Sequence, residues 1–253
     1  MSEISQRPAM EQEGGEGTEL PRKRGTSFSR RTFAIGVGST VALLGLGSLR
    51  YVGSTPLVRP PGGQDEDALI SKCVHCYRCV EACPYDLIRP AKPECGIVGM
   101  HTPRMEFSDN YSGVLDAMKY CDFCARENGG IPLCAEVCPS TALSLPADFD
   151  SQTARIGVAE LDSDLCLAYR SGYCSYCRDA CVQVRGEEHA AISFKEEKSA
   201  DGSVSQVPVV NPDLCNGCGA CESVCVSTQA GSALDAKVRA IVVKPLTGEG
   251  GKA

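Results

Sequence analysis

Two stretches of the chain decide its fold: Cys73-Val-His-Cys-Tyr-Arg-Cys-Val-Glu-Ala-Cys83 and Cys215-Asn-Gly-Cys-Gly-Ala-Cys-Glu-Ser-Val-Cys225. In both, two residues separate each of the first three cysteines, and three residues precede the fourth. This spacing is typical of loops that wrap a [4Fe–4S] cluster with three thiolates, while the fourth cysteine ligates a neighbouring cluster. The two stretches therefore predict iron–sulfur clusters that occur in pairs.

Two further cysteine groups between these stretches are expanded variants of the same pattern. Group two has nine residues between its second and third cysteines, and group three has seven between its first and second. Both keep the three-residue step before the last cysteine, so we expect four [4Fe–4S] clusters. Cys95, the one cysteine of the seventeen that lies outside these groups, is expected to be a free thiol in a Pro-flanked loop. The predicted ligands are Cys73, Cys76, Cys79 and Cys83 (group one), Cys121, Cys124, Cys134 and Cys138 (group two), Cys166, Cys174, Cys177 and Cys181 (group three), and Cys215, Cys218, Cys221 and Cys225 (group four).

Composition excludes several other classes of protein. The chain has 253 residues, 17 cysteines and no Trp, so metal clusters rather than a large aromatic core are expected to organise it. A net charge of -7 argues against nucleic-acid binding, which needs a basic surface. Zinc sites pair two knuckles with four sulfurs in all and have no added cysteine three residues on, so the pattern disfavours zinc. A disulfide framework favours an even cysteine count, so the odd count of 17 disfavours disulfides. No catalytic triad, P-loop or dinucleotide motif is found, which favours an electron carrier without a catalytic site over an enzyme.

The pairing of the four groups can be sequential (one with two, three with four) or nested (one with four, two with three). Nesting is favoured because Pro follows the last cysteine in groups one and two, whereas Val182 and Val226 follow it in groups three and four. The stretch 121–181 also has about the length of one small ferredoxin. Nesting predicts four ligand sets: Cys73, Cys76, Cys79 with Cys225; Cys215, Cys218, Cys221 with Cys83; Cys121, Cys124, Cys134 with Cys181; and Cys166, Cys174, Cys177 with Cys138.

The expected fold class is α+β, with tandem or nested bacterial-type 2[4Fe–4S] ferredoxin modules, long loops and few regular elements. Short β-branched runs predict strands near 156–161, 207–210, 142–145, 191–194 and 240–243. Residues 84–120 are expected to form a long irregular loop. The predicted cluster domain spans 65–245, with an inner module at about 115–195 and an outer module from 65–114 and 196–245; residues 246–253 are expected to fray.

The N-terminus predicts export. Residues 1–28 are expected to be a disordered polar leader, and 29–55 to hold a twin-arginine signal, with Arg30 and Arg31 as the paired arginines before Phe33. The apolar stretch contains four glycines and is shorter than a typical membrane span, so a signal is favoured over an anchor. We therefore expect recognition by the twin-arginine translocase and a periplasmic or extracytoplasmic location, with an uncleaved membrane anchor as the alternative.

Over residues 28–243 the order of motifs resembles the exported ferredoxin-type proteins of the NapG/MauM family. The resemblance rests on the stretches Ser29–Ile35, Cys73–Tyr85, Cys134–Leu143, Arg155–Ala159, Cys166–Tyr169, Val207–Asn211 and Cys215–Cys221. It implies electron transfer outside the cytoplasmic membrane, from a quinol-oxidising, iron–sulfur-containing membrane partner to a periplasmic reductase or carrier. The alternatives are an electron-transfer subunit of a molybdopterin oxidoreductase and a disulfide-stapled exported binding protein.

Overall fold

A computed structural model describes residues 29–30, 33, 35–41, 44–45, 56–93, 96–107, 115, 118–171, 173–198, 204–228 and 239–246. The chain forms two compact units, Met1–Leu46 and Gly47–Ala253. All four cysteine groups lie in the second unit, which is the subject of the following paragraphs. Cys95, Arg31, the leader 1–28 and the tail 247–253 lie outside the described residues, so the predictions made for them are not tested.

Regular elements of the second unit are short and are separated by turns. In the described residues the longest helix has ten residues and the longest strands have seven. Two single 3₁₀ turns, Glu187–His189 and Val226–Thr228, accompany them. The helices are α1 (Glu66–Lys72), α2 (Arg78–Glu81), α3 (Leu133–Glu136), α4 (Leu167–Ser171), α5 (Tyr176–Arg185) and α6 (Ala220–Val224); the strands are β1 (Ile88–Pro90), β2 (Pro103–Met105), β3 (Val158–Leu161), β4 (Ile192–Lys198), β5 (Val204–Val210) and β6 (Ile241–Lys244).

The six strands form three separate antiparallel ribbons, β1–β2, β3–β6 and β4–β5. The β4–β5 ribbon pairs Ile192 with Val210 and continues to Lys198 opposite Val204. The β3–β6 ribbon joins segments far apart in sequence, with Val158 opposite Lys244. This mixture of short helices and small ribbons confirms the α+β prediction.

Four of the five predicted strand segments are confirmed as β3, β5, β4 and β6, but the prediction for 142–145 is wrong. In that segment the N–H of Ser144 donates a hydrogen bond to the carbonyl of Gly62 at 3.0 Å, and no ladder follows. Pro146 comes next and has no N–H to continue one. The 84–120 stretch is also more ordered than predicted, because β1 and β2 pair within it.

Helix α1 lies directly before the first cysteine group and positions its first residue, Cys73. Asp65 caps it by accepting a hydrogen bond from the N–H of Ala68, and acidic residues in the first turn and Lys72 in the last favour the helix dipole. Leu69 is fully buried and anchors the helix on the core. The helix ends at Lys72, and the extended backbone of Cys73 begins the ligand loop.

The apolar core of the second unit is thin and contains the cysteines. Its largest fully buried side chains include Phe123, Leu69 and Ile241, and much of the rest is Ala and Cys. Cysteine side chains occur in each of the four described core clusters. The thiols therefore take positions that larger apolar residues occupy in most domains of this size.

In the first unit, described residues from 30 to 45 are helical. Among the described residues, no helix is both long enough and apolar enough to cross a membrane.

Candidate cluster-binding sites

The ligand loops are curled by residues in the left-handed conformation at equivalent positions. In group one these are His75 (φ 55°) and Tyr77 (φ 59°), and in group four Gly217 (φ 76°) and Gly219 (φ 83°). A non-glycine residue pays about 1–2 kcal/mol for this conformation. The shared geometry turns three thiols toward one cavity in each loop, and the glycines of group four adopt it without that cost.

A second conformational repeat follows the last cysteine of groups one and two. Both continue as Cys-Pro-x-x, and the final residue of each tetrapeptide is left-handed: Asp86 (φ 55°) after Cys83, and Thr141 (φ 53°) after Cys138. The turn brings a backbone N–H back to the sulfur, from Leu87 to Cys83 at 3.4 Å and from Leu143 to Cys138 at 3.5 Å. Groups one and two thus have the same local structure around their last thiols.

The structure assembles the sixteen thiols into four quartets, each lining its own cavity. Each quartet takes three cysteines from one group and the last cysteine of another. We number the quartets by the group that supplies three thiols. The first quartet is Cys73, Cys76, Cys79 and Cys138; the second is Cys121, Cys124, Cys134 and Cys83; the third is Cys166, Cys174, Cys177 and Cys225; the fourth is Cys215, Cys218, Cys221 and Cys181.

The predicted exchange of the last cysteine is therefore observed, but the nested pairing is wrong. Cys83 lies with group two and Cys138 with group one, which makes one module from groups one and two. Cys181 lies with group four and Cys225 with group three, which makes the other module. The inner and outer modules predicted at 115–195 and at 65–114 with 196–245 are wrong for the same reason. Groups that are neighbours in sequence exchange ligands, as short connections favour.

The backbone around the sulfurs suits thiolate ligands of a metal cluster. The last cysteine of each group has a polar hydrogen close to its sulfur: besides Cys83 and Cys138, Cys181 accepts from the N–H of Ala191 at 3.2 Å, and the hydroxyl of Ser227 lies 3.2 Å from the Sγ of Cys225. Hydrogen bonds to sulfur stabilise the charged ligand and tune a bound cluster. Four thiols and these donors make a donor set that fits a [4Fe–4S] cluster.

Burial raises the pKa of most of these thiols. Desolvation, followed by the neighbouring Cys73 thiolate, raises the pKa of Cys79 to about 11. Desolvation likewise raises the pKa of Cys218 to about 12. Cys138 differs: burial acts upward on its pKa, but hydrogen bonds from Leu143 and Ser140 outweigh that effect and lower it. Ligand thiolates must be deprotonated, so a bound metal would supply the compensating positive charge.

The quartets differ in burial. All four cysteines of the fourth quartet are buried, whereas none of the first quartet is buried and Cys76 is exposed. His75 and His101 line the first cavity. The first quartet is thus the most open to solvent and the fourth the most enclosed.

No disulfide forms among the sixteen described cysteines. Within the described part of the chain, no three or more His, Cys, Asp or Glu side chains are arranged as ligands of a single metal ion. The cysteines are instead spread around the walls of the four cavities.

Two buried charges near the third and fourth quartets were not anticipated from sequence. Arg239 donates hydrogen bonds to the carbonyls of Glu222 at 2.6 Å and Cys225 at 3.2 Å, which satisfies the end of α6. The carboxylate of Glu222 accepts from the N–H of Val243 at 2.7 Å and so joins α6 to β6. Burial raises the pKa of Glu222 to about 7. An Arg outside any motif carries no sequence pattern that would mark this role.

Comparison with family models agrees with the geometry. Residues 172–228 match a 4Fe-4S dicluster domain, and residues 70–89 match a 4Fe-4S binding domain. Together with the crossed cysteines, these matches define a ferredoxin-type iron–sulfur protein.

Relatives place the chain more narrowly. It is 33% identical over 195 residues to the ferredoxin-type protein NapG of Escherichia coli (strain K12), which covers 77% of each chain. It is 34% identical over 215 residues to the methylamine utilization ferredoxin-type protein MauM of Methylobacillus flagellatus, which covers 84% of this chain and 82% of that one. The ferredoxin-type protein NapF of E. coli (strain K12) is 30% identical over 168 residues, 66% of this chain and 79% of its own. The chain belongs to the NapG/MauM family of ferredoxin-type electron-transfer proteins.

Proposed function

We propose that each quartet holds one [4Fe–4S] cluster, four in all, and that the chain is an electron carrier without a catalytic site of its own. The observation that carries this proposal is the set of four cavities, each lined by four cysteines drawn from two groups. A bound cluster supplies a one-electron redox couple.

The chain's own residues have three tasks in this function. The cysteine thiolates bind the iron of the clusters. The N–H groups of Leu87, Leu143 and Ala191 stabilise the negative charge of the ligand sulfurs. Buried apolar side chains such as Phe123 keep water from the sulfurs. No proton or group transfer is required of any side chain.

Iron and acid-labile sulfide analysis of anaerobically purified protein tests the proposal. Four clusters predict about sixteen iron atoms per chain, and a Cys76→Ala variant should lose about a quarter of them. Cys95→Ala is the matched control, because Cys95 lies outside all four groups; it should lose none. Zinc in place of iron, or about eight iron atoms in the wild type, would overturn the four-cluster proposal.

The proposed partners follow from the family. Relatives named NapG and MauM are ferredoxin-type proteins, and the MauM name refers to methylamine utilization. We place this chain between a membrane-bound, quinol-oxidising iron–sulfur protein and a periplasmic reductase or carrier. Crosslinking of anaerobic membranes followed by mass spectrometry should recover such a membrane protein; a stoichiometric molybdenum enzyme instead would make the chain an enzyme subunit.

We further propose export by the twin-arginine translocase to the periplasm. Support comes from the basic run that ends in Arg30 and Arg31, followed by Phe33 and an uncharged stretch. Replacing both arginines of the pair by Lys should retain the protein in the cytoplasmic fraction. The same change at Arg22 and Arg24 is the control and should leave export intact; normal export of the first variant would refute the proposal.

A further inference from the structure

We propose that the four sites form a line in the order first, second, fourth, third, and that the two modules meet at a backbone contact between Cys121 and Cys218. This inference rests on the proposed function, since it takes each quartet to hold a cluster. The first and third sites are then the ends of the line, where electrons enter and leave.

Within the first module, the crossed cysteines connect the first and second sites twice. Cys79 lines the first cavity and Cys83, four residues later, lines the second. Cys134 lines the second cavity and Cys138 lines the first. In each pair the first cysteine lies on a short helix, α2 or α3, and the second lies just beyond its end, four residues later, so these steps set the two sites side by side.

The second module repeats this arrangement. Cys177 and Cys181 lie one turn apart on α5 and line the third and fourth cavities. Cys221 lies on α6 and lines the fourth cavity, and Cys225 follows that helix and lines the third. The third and fourth sites are therefore also neighbours.

The two modules touch at the second and fourth sites. The N–H of Cys121 donates a hydrogen bond of 2.9 Å to the carbonyl of Cys218, which links a ligand residue of one module to a ligand residue of the other. Tyr120 packs against the apolar cluster that contains Cys218, and its ring stacks on Tyr85, which lines the second cavity. Every described residue that lines the first cavity lies between 73 and 143, and every one that lines the third lies between 161 and 241.

Burial agrees with this order. The fourth quartet, inside the line, is wholly buried. At one end Cys76 of the first quartet is exposed. At the other end Tyr176 lines the third cavity with 40% of its surface exposed, and Tyr173 beside Cys174 is 71% exposed.

The redox step is a one-electron exchange. A site that gives up one electron is oxidised as its neighbour is reduced by that electron, and no bond forms or breaks. Dithionite is the reductant in the experiment below.

Two double variants distinguish the proposed order from others. Cys76→Ala with Cys174→Ala leaves the second and fourth sites; Cys124→Ala with Cys174→Ala leaves the first and fourth. After anaerobic dithionite reduction, EPR of the first variant should show broadened lines and faster spin relaxation from two interacting clusters. The second variant should show two independent signals. Interaction in the second variant and none in the first would overturn the order.

Iron content separates this failure from failure of the proposed function. Each double variant should keep about half of the wild-type iron. A wild-type protein without clusters refutes the proposed function. About sixteen iron atoms in the wild type, together with interacting signals in the second double variant and independent signals in the first, refutes only the order.

A third variant, Phe107→Ala, retains all sixteen ligand thiols. Phe107 packs directly against Gly219 in the fourth ligand loop. Phe107→Ala should loosen the junction and weaken the interaction between the second and fourth signals. Phe149→Ala is the control, because Phe149 contacts Phe123 within the first module. Equal change in both variants, or none in Phe107→Ala, would contradict the proposed junction.

Discussion

Gly219 lies against the ring of Phe107 so closely that a methyl group on its Cα would overlap the ring. Gly219 is also left-handed, with φ 83°. Since the contact joins the fourth ligand loop to a buried side chain of the first module, we expect the stability of both modules to depend on it.

Gly219→Ala should therefore destabilise the protein by roughly 2–4 kcal/mol, from backbone strain plus steric overlap. Gly129→Ala is a matched control, because Gly129 is also left-handed (φ 61°) but has no atom within 4 Å of an added methyl. That variant should lose only about 1 kcal/mol. Anaerobic denaturant unfolding measures both, and equal losses would show that Phe107 does not restrict the site.

Arg239 should be needed for stability near the third quartet. It is buried and donates to the carbonyls of Glu222, Ser223 and Cys225 at the end of α6, so Arg239→Ala removes these hydrogen bonds, at a cost of roughly 2–4 kcal/mol. Arg170→Ala removes an exposed side chain with one long contact to the carbonyl of Asp164 and should change the unfolding free energy little. Unfolding at the same midpoint for both variants would contradict this role.

Ser227 should raise the reduction potential of a cluster in the third quartet. Its hydroxyl lies 3.2 Å from the Sγ of Cys225, within reach to donate a hydrogen bond to that sulfur, and its oxygen accepts from the N–H of Ala240 at 2.7 Å. Ser227→Ala removes this donor, so one potential should fall by tens of millivolts in an EPR-monitored titration. Ser140→Ala is the comparison, because its hydroxyl is 3.8 Å from Cys138 and should matter less. A rise in potential in Ser227→Ala would refute the argument.

The exposed first quartet should lose its iron first. Cys76 is exposed, whereas all four thiols of the fourth quartet are buried. During mild oxidation with a chelator present, the EPR component absent from Cys76→Ala should disappear from the wild type before the component absent from Cys218→Ala. The opposite order of loss would contradict the burial argument.

The sixteen cysteines of the quartets were found from sequence because spacing alone marks them, and four strands were found because β-branched runs flank the ligand loops. The β3–β6 ribbon was not foreseen, since its strands are distant in sequence and each carries only a local pattern. Arg239 and Phe107 were missed because their roles come from tertiary contacts.

The pairing of groups illustrates how a correct observation led to a wrong prediction. Pro after the last cysteine marks groups one and two, and nesting assumed that each module combines a Pro type with a Val type. The structure instead pairs the two groups in which Pro follows the last cysteine. Asp86 and Thr141 complete the same left-handed turn in these two halves of one module. The proline therefore marks two groups with the same local structure, and these two groups share one module.

The most direct test of the central claim, four clusters held by crossed thiols within sequential modules, compares Cys138→Ala with Cys76→Ala and Cys177→Ala by EPR of the reduced proteins. We predict that Cys138→Ala loses the same spectral component as Cys76→Ala, because both thiols line the first cavity. Loss of the component that is missing from Cys177→Ala would contradict the account.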